Sequence, residues 1–248
     1  MTTVAVLCDP PRPGLVLPDL VDSSPLSSEE AADLYAAMLG DVCRAVETSG
    51  GELLVNYRDD DALPVDGEGS AEAEVRSVVR NALSDPDEAR FEVQVGETFA
   101  GRAGNTATHL LDGEGVTSVA VVEPTAAFLA RSHVDNAAMK LRSSAVVLGP
   151  STRGRVYYAG FRETVDFDAA YTAPEVETLT DRGLDAGHDV DYLPMLPVVE
   201  TGDDLADALA LIRARQRAGR IVPQMTAAAL DDIGVTVVGE GDDLSIAR

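Results

Sequence analysis

Short runs of apolar and β-branched residues alternate with longer helical segments over the first 150 residues. This alternation limits the chain's fold more than any other feature of the sequence. The runs are TVAVLC (Thr3 to Cys8), GELLVNY (Gly51 to Tyr57), TSVAVVE (Thr117 to Glu123) and AVVLGP (Ala145 to Pro150). They carry few charges, as expected of strands covered on both faces. Between the first two, Ser27 and Glu30 form an S-x-x-E capping box. It opens a helix with Ala31, Leu34, Tyr35, Met38, Val42 and Val46 at three- and four-residue spacing. Strand, helix and strand in repetition predict right-handed βαβ units and an α/β fold. The central sheet should be mostly parallel and flanked by helices.

The same reading predicts shorter strands at FEVQV (91–95), VYYAGF (156–161) and VDYLP (190–194), with VTVVGE (235–240) as a final edge strand. Helices are expected over Ala71 to Leu83, Gly101 to Leu111, Ala126 to Leu141, Pro174 to Arg182, Asp203 to Arg217 and Met225 to Ile233. The acidic, glycine-containing segment Asp59 to Gly69 reads as a mobile loop. No repeat or domain boundary is visible, and 248 residues suit a single domain spanning 1–248.

Charge restricts the partners. The formal net charge is −24, and only one of the 19 basic residues is a lysine, Lys140. Such a surface repels phosphate backbones and anionic lipid, so no nucleic-acid or membrane partner is expected. Abundant acid with little lysine is the pattern of a salt-adapted cytoplasmic protein, in which strong salt screens self-repulsion. An ordinary acidic protein is the alternative. If self-repulsion matters, the melting temperature should rise from low to molar KCl, and a flat profile would count against this. Cys8 and Cys43 read as buried free thiols. Without a basic, apolar leader or a long uncharged run, the sequence predicts a soluble, cytoplasmic protein.

Common catalytic signatures are missing. His109, His133 and His188 have no zinc-ligand spacing, and there is no G-x-S-x-G and no phosphate loop ending in lysine. In open α/β sheets, ligands bind beyond the carboxyl ends of strands. That directs attention to three stretches: PRPGLVLPDL after the first strand, VAVVEPT, and VVLGPSTRGRVYYAGF.

Together with LSSEEAADLYAAML and VVETGDDL, these stretches resemble a family of small GT-A-like nucleotide-diphospho-sugar transferases. Its members are glycosyltransferase-like, include arsenosugar-biosynthesis types, and are distantly similar to phospholactate guanylyltransferases. The resemblance spans Val4 to Gln224. It implies a GT-A-like domain and a nucleotide- or nucleotide-sugar-dependent transferase of unknown acceptor. It also implies Mg²⁺ or Mn²⁺, and a nucleotide or other small anion as ligand. Arg12 and Gly14 would belong to the nucleotide loop. Glu123 and Glu200 would stand at metal-site aspartates.

Several family residues are replaced. Leu17, Pro18 and Asp19 stand where the family has Lys-Thr-Arg, Arg153-Gly154-Arg155 where it has Asp-Gly-Gly, and Val198 at a further aspartate. Phosphates require cations or donors and metals require carboxylates, so these changes leave two readings open. The chain is either a transferase or a non-catalytic binding or scaffold protein on the same fold. Arg153 and Arg155 could grip an anion, pair with local acids, or lie exposed. If they serve an anion, at least one should face the loop Asp9 to Leu20.

Overall fold

The computed structural model describes residues 1–67, 69–240 and 243–248. Strand β1 (Thr2–Cys8) is buried along its whole length. Val4, Val6 and Cys8 face one layer of helices, while Ala5 and Leu7 face the other. β1 pairs in parallel with β2 (Glu52–Tyr57) on one side and β4 (Ser118–Val122) on the other, placing Val4 opposite Leu53 and Ala120. β3 (Arg90–Val93) extends the sheet beyond β2. On the far side β6 (Val156–Phe161) runs antiparallel between β4 and β5 (Val146–Pro150), and β7 (Val190–Tyr192) closes the edge parallel to β5. The order is β3-β2-β1-β4-β6-β5-β7, so the fold is α/β with a mostly parallel seven-stranded sheet. β5 thus points the same way as β1, although they are not neighbours.

Helix α2 (Ser28–Glu47) is the pivot of the packing, and both halves of its predicted capping box are formed. Leu39, Val42, Cys43 and Val46 pack on the sheet beside α3 (Ala71–Ala82) and α5 (Arg131–Lys140). Leu34 and Met38 turn toward α7 (Gly202–Arg217) and α8 (Gln224–Ile233). The other face of the sheet is covered by α4 (Phe99–Thr108) and α6 (Glu175–Asp185) through Ala103, Ala107 and Leu179. No helix among the described residues is long and apolar enough to cross a membrane.

Three expectations are corrected. VTVVGE does not join the main sheet: β8 (Thr236–Glu240) pairs only with β9 (Asp243–Ala247), as a separate hairpin lying against α7. The Pro-rich connector contains a short helix, α1 (Pro18–Ser23), with Pro18 in its first turn and Leu20 buried. α5 begins at Arg131, because Ala126 to Leu129 are buried in turns and the His133 ring accepts the Ala130 amide at 3.0 Å.

The acidic loop after β2 is held from inside. Arg12 is 4% exposed and donates to Glu74, Asp60, and the Val65 and Gly69 carbonyls. Glu68, within that loop, lies outside the described residues.

Candidate functional site

Strands β1 to β5 end on one edge of the sheet. The residues that follow them are Asp9, Arg58, Gln94, Glu123 and Ser151. Arg155 immediately precedes the antiparallel β6 and so starts from the same edge. Chain direction alone therefore gathers two acids, two arginines and an amide.

Gln94 locks three of these ends together. Its amide nitrogen donates to the Cys8 carbonyl at 2.9 Å and the Asn56 carbonyl at 2.7 Å. Its oxygen accepts Arg102 Nε at 2.6 Å. The Gln94 backbone amide also donates to the Tyr57 carbonyl at 2.7 Å, so its side chain staples the strands from a residue still bonded to β2. Arg58 forks onto both carboxylate oxygens of Asp9, whose amide is bonded to the Tyr35 hydroxyl at 3.0 Å. Arg102 has no carboxylate partner among the described residues. It donates to Gln94 and the Glu97 carbonyl, and Nη2 has no partner among them. Burial and the neighbouring Arg58 lower its pKa. A polar slot of about 50 Å³ is lined by Asp9, Tyr35, Gln94, Phe99, Arg102 and Glu123.

Glu123 is the electrostatic centre of this edge. It is partly buried, and its carboxylate makes no hydrogen bond among the described residues. Burial pushes its pKa up to about 8; Glu200, Glu175 and Asp9 add to this, while Arg102 opposes it. Glu175 is raised as well, by burial first, although its carboxylate accepts the Val156 amide at 2.9 Å. The Tyr171 hydroxyl, close to both glutamates, is buried without a hydrogen-bond partner. Acids crowded this way, beside an orphaned phenol, form a donor set that a cation would relieve.

Glu123 and Glu200, the residues expected to hold a metal, are near enough on this edge for the Glu200 charge to raise Glu123. No third ligand atom completes a tight cluster with them among the described residues. Two carboxylates suffice for Mg²⁺ or Mn²⁺ when phosphate and water oxygens take the other positions. A tighter group, Glu92, His109 and Glu114, does exist on the surface, but Arg90 pairs with both glutamates and supplies the positive charge there.

Two residue assignments change, those of Arg12 and Arg155. Arg12 was expected to bind substrate, but each of its nitrogens is already bonded, to the acidic loop or to Glu74 on α3. A cavity of about 580 Å³ does open beside it, lined by Pro13, Val65, Val78 and Asn81. Arg155 was expected to grip an anion. Instead it contacts Glu200 at 2.8 Å and both oxygens of Asp204 at 2.6 and 2.9 Å, and also bonds Thr152. Arg153, in the left-handed region at φ 59°, pairs with Asp203 at 2.8 Å in solvent. Neither arginine makes a polar contact with the loop Asp9 to Leu20 among the described residues. Gly14 has φ 77° and open space where a Cβ would stand, so its turn requires glycine but nothing yet approaches it closely.

Sequence reasoning missed Arg58, Arg102, Gln94, Glu175 and Tyr171. Arg58 could have been found by asking which residue follows each buried run. Arg102 and Glu175 lie on helices, and only the fold turns them toward this edge.

Arg155 matters for stability. Burial would raise the Asp204 pKa, but Arg155 and Thr201 outweigh it and hold that carboxyl low. Arg155→Ala leaves Asp204 to the backbone and Thr201, a partial replacement. Thermal unfolding should register a loss of about 2 kcal/mol, less than for a wholly uncompensated buried acid. An unchanged melting temperature would contradict this role.

No family model matches the sequence, and no curated protein does. The structure does have close counterparts among solved structures. A candidate nucleotide-diphospho-sugar transferase from Desulfovibrio desulfuricans G20 superposes with a TM-score of 0.74 at 20% identity, covering 93% of this chain and 94% of that one. The fold is that of the nucleotide-diphospho-sugar transferases. More distant counterparts are a cytidylyltransferase from Leptospira borgpetersenii (TM-score 0.51, 7% identity, 94% of each chain) and 4-diphosphocytidyl-2C-methyl-D-erythritol synthase from Anaerococcus prevotii. The latter matches at 0.50 and 12% identity, over 86% of this chain and 96% of that one.

Proposed function

We propose that this protein is a nucleotide-dependent transferase, moving a sugar from a nucleotide-sugar or a nucleotidyl group from a nucleoside triphosphate. The observation that carries the reading is Glu123: a partly buried carboxylate with no hydrogen bond among the described residues, beside Glu200 at the sheet edge where ligands bind. Mg²⁺ or Mn²⁺, when bound, would neutralise charge on the diphosphate leaving group. Glu123 and Glu200 would hold it, with phosphate and water oxygens completing the shell. Arg102, held by neutral partners, offers the positive charge that the loop lost with Leu17, Pro18 and Asp19. Arg153, whose surface pair with Asp203 is worth little, is available to an incoming phosphate. Gly14 leaves its side of the loop open.

The second reading, a non-catalytic protein on the same fold, is favoured by one observation. Arg155 ties Glu200 to Asp204 and so neutralises one of the two glutamates internally. Incubation with nucleoside triphosphates and nucleotide-sugars, with Mg²⁺ or Mn²⁺ in molar KCl and a panel of hydroxyl and phosphate acceptors to take the transferred group, separates the two. Metal-dependent release of pyrophosphate, or of nucleoside mono- or diphosphate, is expected of the transferase. Binding without turnover across the panel would favour the scaffold.

A further inference from the structure

A second cavity lies away from the strand edge, where α2, the start of α5 and the α7–α8 connection meet. Its volume is about 570 Å³, within the range of small-molecule sites. Its walls are Ala127, Phe128, Leu129, Val222 and Pro223, all buried. Ile221 stands at the rim, 84% exposed, the most exposed large apolar residue described in the chain.

The charges around this cavity run against the rest of the molecule. Arg44, Arg131 and Arg215 line it, against one acid, Asp41. Asp41 is already spent: it accepts the Met225 and Thr226 amides at 3.1 and 2.7 Å and the Thr226 hydroxyl at 2.7 Å. Arg44 and Arg215 have no ion-pair partner among the described residues, and Arg131 has only a solvent-exposed pair with Asp135. Arg215 lies 5.4 Å from the centre of the Phe128 ring, so a cation is positioned over the apolar wall. His133, on the same wall, has its pKa lowered by burial and by Arg215, which agrees with a positive local field. A chain with 43 acids and 19 bases would neutralise such arginines readily if they had no other use.

We propose that this cavity binds a small organic anion with an apolar body, an acyl or aryl carboxylate, phosphate or sulfonate. The head would be held by Arg44 and Arg215 and the body laid against Phe128 and Val222. Guanidinium recognises such heads with paired hydrogen bonds, and the apolar walls give the tail its affinity. The site does not depend on the transferase reading, since it shares none of the side chains at the strand edge.

The test uses the whole protein in fixed KCl, with anilinonaphthalenesulfonate as a fluorescent probe and octanoate and octylamine as competitors. Saturable fluorescence displaced by octanoate but not by octylamine is expected. Ile221 is exposed, so substitutions there leave the fold intact. Ile221→Glu should weaken probe binding by about ten-fold through like-charge repulsion, while Ile221→Lys should leave it equal or tighter. Arg44→Gln with Arg215→Gln should weaken it by at least about as much. The exposed Arg80→Gln on α3 should change nothing. Absence of saturable binding, equal displacement by octylamine, or equal affinity in the Glu and Lys variants would overturn the proposal.

Discussion

Arg12→Ala should lower the stability of this protein by about 2 to 4 kcal/mol. Arg12 is 4% exposed and anchors Asp60 and the Val65 and Gly69 carbonyls of the segment between β2 and α3 to itself and to Glu74 on α3. Glu74 and Asp60 keep access to water and recover part of their hydration, so the loss falls short of that for a fully buried pair. Arg12→Lys should recover only part of the loss, because an ammonium cannot reach four acceptors in the plane of a guanidinium. Thermal unfolding in molar KCl should show a midpoint about 5–12 °C below the parent. Hydrogen exchange should rise selectively over residues 59–67. A change under 1 °C would mean that the loop is held by something other than Arg12.

Glu123→Gln should stabilise the protein, and more so as pH rises. The folded-state pKa of Glu123 is about 8, above its ordinary value of 4.5. A group raised on folding contributes stability that is fully present below about pH 4.5 and lost as pH rises through about 8. The parent should therefore weaken between pH 5 and pH 9, as a negative charge is forced into a site already facing Glu200, Glu175 and Asp9. Glutamine carries no such charge. The variant's advantage should be small at pH 5 and on the order of 2–4 kcal/mol at pH 9, before screening by salt. Equal pH profiles for variant and parent would show that Glu123 is not a source of strain.

The sheet was legible because its strands are buried on both faces, so their apolar runs stand out from the charged chain around them. The capping box of α2 and the direction of β5 followed from local spacing and from the βαβ rule. Elements outside that logic were misread. β8 looks like any edge strand, and only its partner β9, a weakly apolar segment, shows that it forms a separate hairpin. α5 starts late because Ala127 and Phe128 pack with α7 while Ala126 and Leu129 pack toward the sheet and α2, long-range demands that periodicity does not record. At the site, Glu123 could be placed by the strand it follows, whereas Glu200 stands just before α7, well past the end of β7. The fates of Arg12 and Arg155 could not be read this way, because a guanidinium's partners depend on which acids the fold brings near. In a chain this acidic, several candidates were always within reach.

The central claim is that Glu123 is held ready for a cation that brings a nucleotide with it. The most direct measurement is calorimetric titration of nucleoside diphosphates into the parent and Glu123→Gln, with and without Mn²⁺, at pH 8 in molar KCl. The account predicts nucleotide binding by the parent that strengthens at least about ten-fold with Mn²⁺, and a variant in which that metal enhancement is lost while its melting temperature is higher. Nucleotide binding that is indifferent to Mn²⁺ in the parent, or equally enhanced by it in Glu123→Gln, would contradict the account.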